Sequence, residues 1–455
     1  MATAAEKLAS NMNFGALGKA SELRNRLLFT LGALVVFRLG TFLPIPGINP
    51  VALQQFFEQQ SSGILGVFDT FSGGALRRMG IFALGVMPYI SASIIMTLLQ
   101  SSIPYLKSLK EQGSSGRRKI IQFSRYLTVL IAGLQGYGVA IGLESMQTAY
   151  GNIVIDPGLF FKITTVITLV GGTIFLMWLG EQITSRGVGN GISLIITAGI
   201  IANLPSAIVS TLQLGRSGEL AVGFILLILI LVLCLIVFIV FIEKAQRRLM
   251  VQYPKRQVGM KMFGGESSNL PIKLNPSGVI PAIFASSLLL LPTTISTFAK
   301  EDDSGFIGLM SAYLGPGQFL YYVFFGGMIV FFAYFYTLNV SFKTDDVADN
   351  LKKQGGFVPG IRPGERTAQY LEYVVIRVLV LGSAYLAAVC LLPEVLRSQF
   401  AIPFYFGGTS LLIVVSVTMD TITQVQSHLL AHQYEGLIEK SRLGGKSRKK
   451  GRQRK

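Results

Sequence analysis

Ten apolar stretches, each close to the length of a membrane-spanning helix, run through this chain of 455 residues. A helix needs roughly 17–25 apolar residues to cross the hydrocarbon core of a bilayer. The pattern predicts an all-α polytopic membrane protein, because a helix satisfies its own backbone hydrogen bonds in lipid. The stretches are 27–43, 79–99, 127–143, 160–179, 192–212, 221–242, 279–298, 319–340, 374–392 and 404–423.

Basic residues follow the same pattern. Most of the 40 Lys and Arg residues lie before the first stretch, after the last one, or in every second gap between them. The opposite gaps hold only Arg77, Arg78, Arg216, Lys300 and Arg397. Cytoplasmic loops carry the excess of basic residues, so both termini are predicted to be cytoplasmic. Residues 1–26 fit a cytoplasmic segment with a short interfacial helix, and residues 428–455 form a basic cytoplasmic tail.

Composition excludes several classes of protein. Only 14% of the residues are charged and the mean hydropathy is +0.55, which a soluble chain could reach only with an implausibly large core. The formal charge of +17 suits anionic lipids, and equally an acidic or RNA-containing partner. Cys234 and Cys390 lie in apolar stretches, which argues against a disulfide framework. His428 and His432 have no third ligand and no nucleotide motif is evident, so no metal, cofactor or enzymatic site is expected.

Charged residues inside the stretches lie near their ends, where a long side chain can reach an interface. They are Arg38, Lys162, Arg377 and Asp420. No acid or base is therefore committed to the midplane, where an ion-coupled transporter would place one. This distribution favours a constriction made of apolar side chains.

Residues 64–80 are too polar and glycine-rich to span a membrane, yet too apolar for an ordinary outer loop. Irregular backbone is tolerated at membrane depth only when it is buried in protein or lines an aqueous cavity. A re-entrant half-helix inside a funnel fits this segment. A loop folded over the outer helix ends is the alternative.

Five long motifs resemble the SecY family, the central subunits of the bacterial protein-translocation channel. They read GALRRMGIFALGVMPYISASIIMTLLQ, GEQITSRGVGNGISLII, LPIKLNPSGVIPAIFASS, ADNLKKQGGFVPGIRPGERTAQYLEYV and PFYFGGTSLLIVVSVTMD. The resemblance covers essentially residues 14–440 and implies ten helices in two inverted halves, 27–212 and 213–427, around an hourglass pore. One departure is SFKTDD at 341–346, where many relatives carry an Asn-Pro-containing stretch.

The resemblance also implies how the pore closes. Residues 64–78 match the plug, a short helix that fills the outer funnel, and we call them the plug segment; the Gly73–Gly74 pair would be its hinge. Its other implied residues are Ile64, Leu65, Val67, Phe68 and Phe71. The implied pore ring consists of Val86, Ile90, Ile192, Ile196, Ile283 and Ile413. The first four form two pairs spaced by four, which places each pair on one helix face.

A lateral gate is implied where helices two and three face helices seven and eight. Small and hydroxyl residues permit close helix approach there through weak hydrogen bonds. They are Ser91, Ser93 and Thr97 on helix two, with Ser286 and Ser287 on helix seven. Ordinary helix packing accounts for these residues equally well.

Two long cytoplasmic loops, 243–277 and 341–370, are the implied docking sites for partners. In the resembling family they bind the SecA motor ATPase or the ribosome, and the matching basic residues are Lys255, Arg256 and Arg362. The resemblance further implies SecE-like and SecG-like membrane subunits, a nascent polypeptide as substrate, and the bacterial inner membrane as location. Because no nucleotide site is evident, energy would come from a partner.

Three other classes of protein remain as alternatives. A secondary transporter would share inverted repeats and broken helices but should show a midplane substrate site. A lipid-modifying membrane enzyme would need clustered His, Asp or Glu near an interface. A membrane-anchored RNA-binding protein could use the basic loops, but it would not need ten helices.

Overall fold

Helices dominate the computed structural model. It describes residues 21–60, 69–145, 147–148, 151–217, 222–254, 256–258, 261–263, 267–298, 318–400 and 407–452. In the first half of the chain the helices are α1 (Ser21–Gly40), α2 (Pro50–Gln60), α3 (Met87–Ser102), α4 (Pro104–Glu111), α5 (Ser114–Ser145), α6 (Leu159–Arg186) and α7 (Gly191–Arg216). In the second half they are α8 (Val222–Lys244), α9 (Ile280–Phe298), α10 (Phe319–Tyr336), α11 (Thr344–Lys353), α12 (Glu365–Phe400) and α13 (Gly408–Arg452).

Each predicted stretch has a helix of its own, namely α1, α3, α5 to α10, α12 and α13. Seven of the described helices are long and apolar enough to cross a membrane: α5, α6, α7, α8, α10 with its continuation, α12 and α13. The predicted stretch 79–99 is helical only from Met87, because residues 81–86 form turns. Gly85 has φ +58° there, and proline occupies the start of α3, where its missing N–H costs nothing.

Four strands occupy the segment that was predicted as a cytoplasmic loop, 243–277. Strand β3 (Gln246–Gln252) pairs antiparallel with β6 (Ser267–Lys273), and the shorter β4 (Arg256–Val258) and β5 (Lys261–Phe263) pair between them. Leu249 and Val251 are buried while Met250 is exposed, the period of two that a half-buried strand requires. Strands β1 (Gln147–Thr148) and β2 (Gly151–Asn152) form a small separate pair.

The hairpin β3–β6, α4 and α11 lie at one end of the bundle, which we call the basic end. A small apolar cluster there joins the hairpin to the start of α12 and includes Leu249, Ile272, Leu371 and Val375. Gln252 and Phe357 exchange two main-chain hydrogen bonds of 2.9 Å. The two predicted docking loops are therefore parts of one packed unit.

At the opposite end, the chain leaving α1 pairs with the chain that leads into α3. The N–H of Ile45 donates to the carbonyl of Met79 over 2.8 Å, and the N–H of Ile81 donates to Leu43 over 2.9 Å. Met79 has φ +41°, a left-handed conformation that costs energy in a residue other than glycine. This pairing fixes residues 79–81 against the end of α1.

The segment that departs from the family pattern, 341–346, has a defined shape. A π-helical turn, Thr337–Ser341, ends α10, and α11 begins at Thr344. Asp345 and Asp346 lie in the first turn of α11, where the helix dipole favours acidic residues.

Candidate functional site

Two of the predicted ring residues lie at the start of α3. Val86 is the residue before the helix, and its carbonyl accepts the N–H of Ile90 over 3.1 Å. The pair is therefore one helical turn apart, as its spacing predicts. The other pair, Ile192 and Ile196, lies in the first turns of α7, which begins after Asn190; the Asn190 side chain accepts the N–H of Ile192 over 3.2 Å.

All six predicted ring residues share one apolar environment. Val86, Ile90, Ile196 and Ile413 are buried in the main apolar cluster, while Ile192 and Ile283 are partly buried against it. They come from α3 and α7 in the first half of the chain and from α9 and α13 in the second. Phe71 of the plug segment belongs to the same cluster. The cluster extends through most of the bundle, so their arrangement as a ring stays a prediction.

Only part of the plug segment lies among the described residues. Ile64, Leu65, Val67 and Phe68 lie outside them, whereas residues 69–72 are helical and Phe71 is buried. Gly73 and Gly74 follow with φ of +70° and +83°, conformations that favour glycine. The helix therefore ends at the glycine pair that was predicted to be a hinge.

Hydrogen bonds to Asp69 fold the described part of the plug segment into a compact turn. Its carbonyl accepts the N–H of Gly74 over 2.9 Å and the Ser72 hydroxyl over 3.1 Å. Its carboxylate accepts the N–H of Arg77 over 2.9 Å. Asp69 is 5% exposed, and these contacts satisfy a carboxylate that would otherwise be costly to bury.

Helices α1 and α7 hold this turn, and we call the contact the plug dock. Nη1 of Arg38 donates to the Gly73 carbonyl over 2.5 Å. A Cβ added to Gly73 would lie 3.1 Å from Cα of Gly199, so the two backbones are in close contact. Nδ2 of Asn203 reaches the Asp69 carbonyl at 3.4 Å, the long end of the hydrogen-bond range.

The plug dock was not predicted, although Arg38 had been noted near the end of its apolar stretch. Its guanidinium lies 4.9 Å from the centre of the Phe42 ring, and that of Arg78 lies 4.2 Å from the same ring. One usable signal was Asp69, an acid inside an otherwise apolar segment. Such a residue needs buried partners, and main-chain N–H groups supply them here.

Of the five predicted gate residues, Ser287 makes a contact between the two halves. Its hydroxyl lies 3.8 Å from Sδ of Met87, which joins α9 to α3. The Thr97 hydroxyl donates to the Ser93 carbonyl, and that of Ser286 donates to the Ile283 carbonyl, each within its own helix. Ser91 is buried in α3. Helix α9 also packs against α5, so α3 and α5 meet α9 as the gate requires.

The basic end brings α4 close to α11. Burial lowers the pKa of Lys110 in α4, nearby Lys343 lowers it further, and Asp346 in α11 opposes both effects. Lys343 and Asp346 themselves form an ion pair of 3.8 Å. Charged residues from both halves of the chain therefore interact at this end of the predicted gate.

Arg362, the predicted docking residue of the second loop, is exposed. It lies between Gly360 and Gly364, which have φ of +82° and +110°. The Thr367 hydroxyl donates to the Arg362 carbonyl over 2.9 Å and so fixes the main chain of this turn. In the first loop, Arg256 begins β4, whereas Lys255 lies outside the described residues.

A buried polar contact, also not predicted, joins the end of α8 to the connection between β6 and α9. Nδ2 of Asn275 donates to the Glu243 carboxylate over 2.8 Å and to the Gly278 carbonyl over 3.0 Å. The Ser277 hydroxyl donates to Oδ1 of Asn275 over 2.9 Å, and Asn275 is 2% exposed. We call this set of contacts the Asn275 junction.

Among the described residues, no three His, Cys, Asp or Glu side chains come together in a way that could hold a metal ion.

A family model described as SecY matches residues 80–422. The chain belongs to the SecY family. The protein translocase subunit SecY of Rickettsia bellii is 51% identical over 433 residues, which cover 95% of this chain and 99% of that protein. SecY of Escherichia coli K12 is 51% identical over 434 residues, covering 95% and 98%.

Solved structures share the fold of this SecY-family chain. One is a SecY structure described in terms of a plug domain that stabilises the closed channel; it has a TM-score of 0.63 at 18% identity and covers 89% of this chain and 92% of its own. Another is Sec61 in a canine ribosome–channel complex, with a TM-score of 0.59 at 16% identity, also covering 89% and 92%. The predicted fold class is confirmed, and the chain is a multi-pass membrane protein.

Proposed function

We propose that this chain forms a protein-conducting channel. It passes unfolded polypeptides across the membrane and releases apolar segments sideways into lipid. SecY relatives at 51% identity along almost the whole chain support this proposal. The observation that carries it is one apolar cluster that contains residues of α3, α7, α9 and α13 together with Phe71 of the plug segment.

An apolar constriction explains how such a channel can block ions and yet pass a polypeptide. An ion must lose its hydration to enter a dry ring, and desolvation is costly. Side-chain packing has no fixed direction, so the same residues can close around an extended chain of any sequence. The plug segment would add a second closure while no substrate is present.

Sideways release requires the two halves to separate along α3 and α9. The contact between Ser287 and Met87 supports this route, because a hydroxyl–thioether contact of 3.8 Å is weak and reversible. An apolar segment entering from the pore would replace it with lipid-like contacts. A polar segment gains nothing there and would continue across the membrane.

The proposal also covers the orientation of the chain in the membrane and its binding partners. The channel would lie in the bacterial inner membrane with both termini in the cytoplasm, since the basic residues lie mainly on that side. A SecA motor or a ribosome would bind the basic end and supply the energy, so the chain itself would not be an enzyme. The similarity to Sec61 from a ribosome–channel complex supports the ribosome as a partner. SecE-like and SecG-like subunits would complete the complex.

Reconstitution tests this proposal. The chain, purified with its native partners, should bring a small SecE-like protein with it, which mass spectrometry would identify. In proteoliposomes, addition of SecA, ATP and an unfolded secretory precursor should protect the precursor from external protease. Absence of protected precursor from an intact, correctly assembled complex would contradict the proposal.

The role of Arg362 has its own test. Arg362→Glu should leave the channel folded, because the side chain is exposed, but should reduce SecA-driven transport at least roughly tenfold, since the charge reversal replaces an attraction by a repulsion. Arg366→Glu, also exposed on the basic end, is the matched control. Equal transport by both variants would show that the contact lies elsewhere.

A further inference from the structure

We propose that Arg38 is a positioning residue that holds the plug segment in its closed place. Its guanidinium binds the main-chain carbonyl of Gly73 and thereby locks the Gly73–Gly74 joint. The inference rests on the proposed channel function, and it assigns the closed position to one hydrogen bond from α1. Four observations lead to it.

The bond itself is short and charged. Nη1 of Arg38 lies 2.5 Å from the Gly73 oxygen, and hydrogen bonds from an ionised donor are about twice as strong as neutral ones. The Phe42 ring, 4.9 Å away, orients the guanidinium. The Thr41 hydroxyl donates to the Arg38 carbonyl over 2.6 Å, which fixes the end of α1 beneath it. The donor is therefore held in place before the plug segment arrives.

The acceptor lies at the joint that must turn. Gly73 and Gly74 both have positive φ, so the carbonyl between them points in a direction set by these two residues alone. Cα of Gly199 and the Asn203 side chain approach Gly73 and Gly74 from α7. The joint therefore lies between α7 and the Arg38 guanidinium, and rotation about it must first break the bond to Arg38.

The turn is tied together on both sides of the joint. The hydrogen bonds of Asp69 to Gly74 and Arg77 connect residues 69–77 across it, so one contact at Gly73 positions the whole turn. Beyond it, the main-chain bond from Ile45 to Met79 holds the chain to the exit of α1. Arg38 thus acts on the turn 69–77, next to a fixed point at Met79.

Release of the carbonyl does not leave the Arg38 charge without partners. The Phe42 ring, at the same end of α1, remains in contact with it. Releasing the turn therefore costs less than leaving a charge buried and unpaired would. A lowered cost suits a closure that an arriving polypeptide displaces without its own energy source.

Two measurements on the assembled complex test the proposal. Arg38→Met should raise the resting ion conductance of single channels in planar bilayers roughly tenfold, because a charged hydrogen bond is lost. Arg38→Lys, which keeps one charged donor, should fall between Arg38→Met and the wild type. Arg26→Met is the matched control, since it removes a guanidinium from the other end of α1, where Arg26 pairs with Glu22 over 2.8 Å. Equal conductance of Arg38→Met and Arg26→Met would overturn the proposal.

The second measurement does not depend on conduction. Thr70→Cys, in a chain that also carries Cys234→Ser and Cys390→Ser, places a single thiol on the buried turn. A membrane-impermeant maleimide should label it roughly tenfold faster when Arg38→Met is added. Unchanged labelling would refute the assignment even in an active channel. If labelling of Thr70→Cys depends on Arg38 as expected but the wild-type complex fails to transport precursor, the channel function is refuted instead.

Discussion

One face of α7 carries two regions of opposite chemistry. Ile192 and Ile196 of the predicted ring are followed by Gly199 and Asn203 of the plug dock, at the i, i+4, i+7 and i+11 spacing of a single helical stripe. The first pair packs by apolar contact alone. The second pair approaches main-chain atoms of the plug segment.

The difference shows what each kind of contact can do. Apolar packing is non-directional, so it tolerates a range of side-chain positions and can close again around a foreign chain. A hydrogen bond to a carbonyl has one geometry and is lost when that carbonyl moves. In the proposed channel, apolar packing suits the ring, which must close around different chains. A hydrogen bond suits the plug segment, which must occupy one position.

The largest expected effect on ion conductance comes from placing a polar side chain in the apolar part of the stripe. Ile196→Asn should raise resting ion conductance roughly 100-fold, because an amide in the dry cluster draws in water and removes apolar packing. Single-channel recording in planar bilayers measures this. Ile201→Asn is the control, since Ile201 is 46% exposed on the same helix. The same substitution by Asn at Ile90, Ile283 and Ile413 repeats the test. Unchanged conductance in all four variants would contradict the ring.

An intermediate effect is expected from adding apolar bulk to the polar part of the stripe. A Cβ on Gly199 would lie 3.1 Å from the Phe71 carbonyl and 3.2 Å from the Gly73 nitrogen. Gly199→Val should therefore displace the plug segment and raise the conductance roughly 5- to 30-fold, the range for an overpacked contact. Gly133→Val in α5, where a Cβ meets nothing within 4 Å, is the matched control. If both variants conduct alike, the close approach does not position the plug segment.

The smallest effect should come from Asn203. Its contact with the Asp69 carbonyl is long, at 3.4 Å, so Asn203→Leu should raise the conductance only about twofold. The same recordings, normalised to the amount of assembled complex, measure it. Ser206→Ala, whose hydroxyl bonds within its own helix, serves as the comparison. A rise in conductance as large as that of Gly199→Val would mean that the polar contact, not the backbone approach, dominates the plug dock.

The sequence predicted the helices well, because each apolar stretch is as long as a helix that crosses a bilayer must be. Each apolar stretch has one helix, and the spacing of Ile192 and Ile196 places both on one face of α7. The end of a helix is a weaker signal, and stretch 79–99 proved helical only from Met87. The strands were not predicted, because QRRLMVQ alternates in burial while its apolar residues, LMV, are consecutive and show no alternation in residue type.

The contacts of the plug dock could not be predicted from the sequence, for a different reason. Arg38 binds a carbonyl, which every residue carries, so no residue type in the sequence identifies its partner. The Asn275 junction is similar, since Asn275 donates to the Gly278 carbonyl as well as to Glu243. Family resemblance predicted the ring, gate and docking residues. The hydrogen bonds of the plug dock and the Asn275 junction became visible only in the structure.

The main-chain pairing of Gln252 with Phe357 makes the two basic-end loops one mechanical part. A pull on the exposed turn at Arg362 is transmitted through that pairing to β3, across the ladder to β6, and through the Asn275 junction to the start of α9. The pairing, the ladder and the junction are hydrogen-bonded and the covalent chain joins them, so the series contains little free loop that could stretch. In the proposed channel, force applied at the basic end would therefore reach the start of α9, which borders the predicted gate, with little slack along its path.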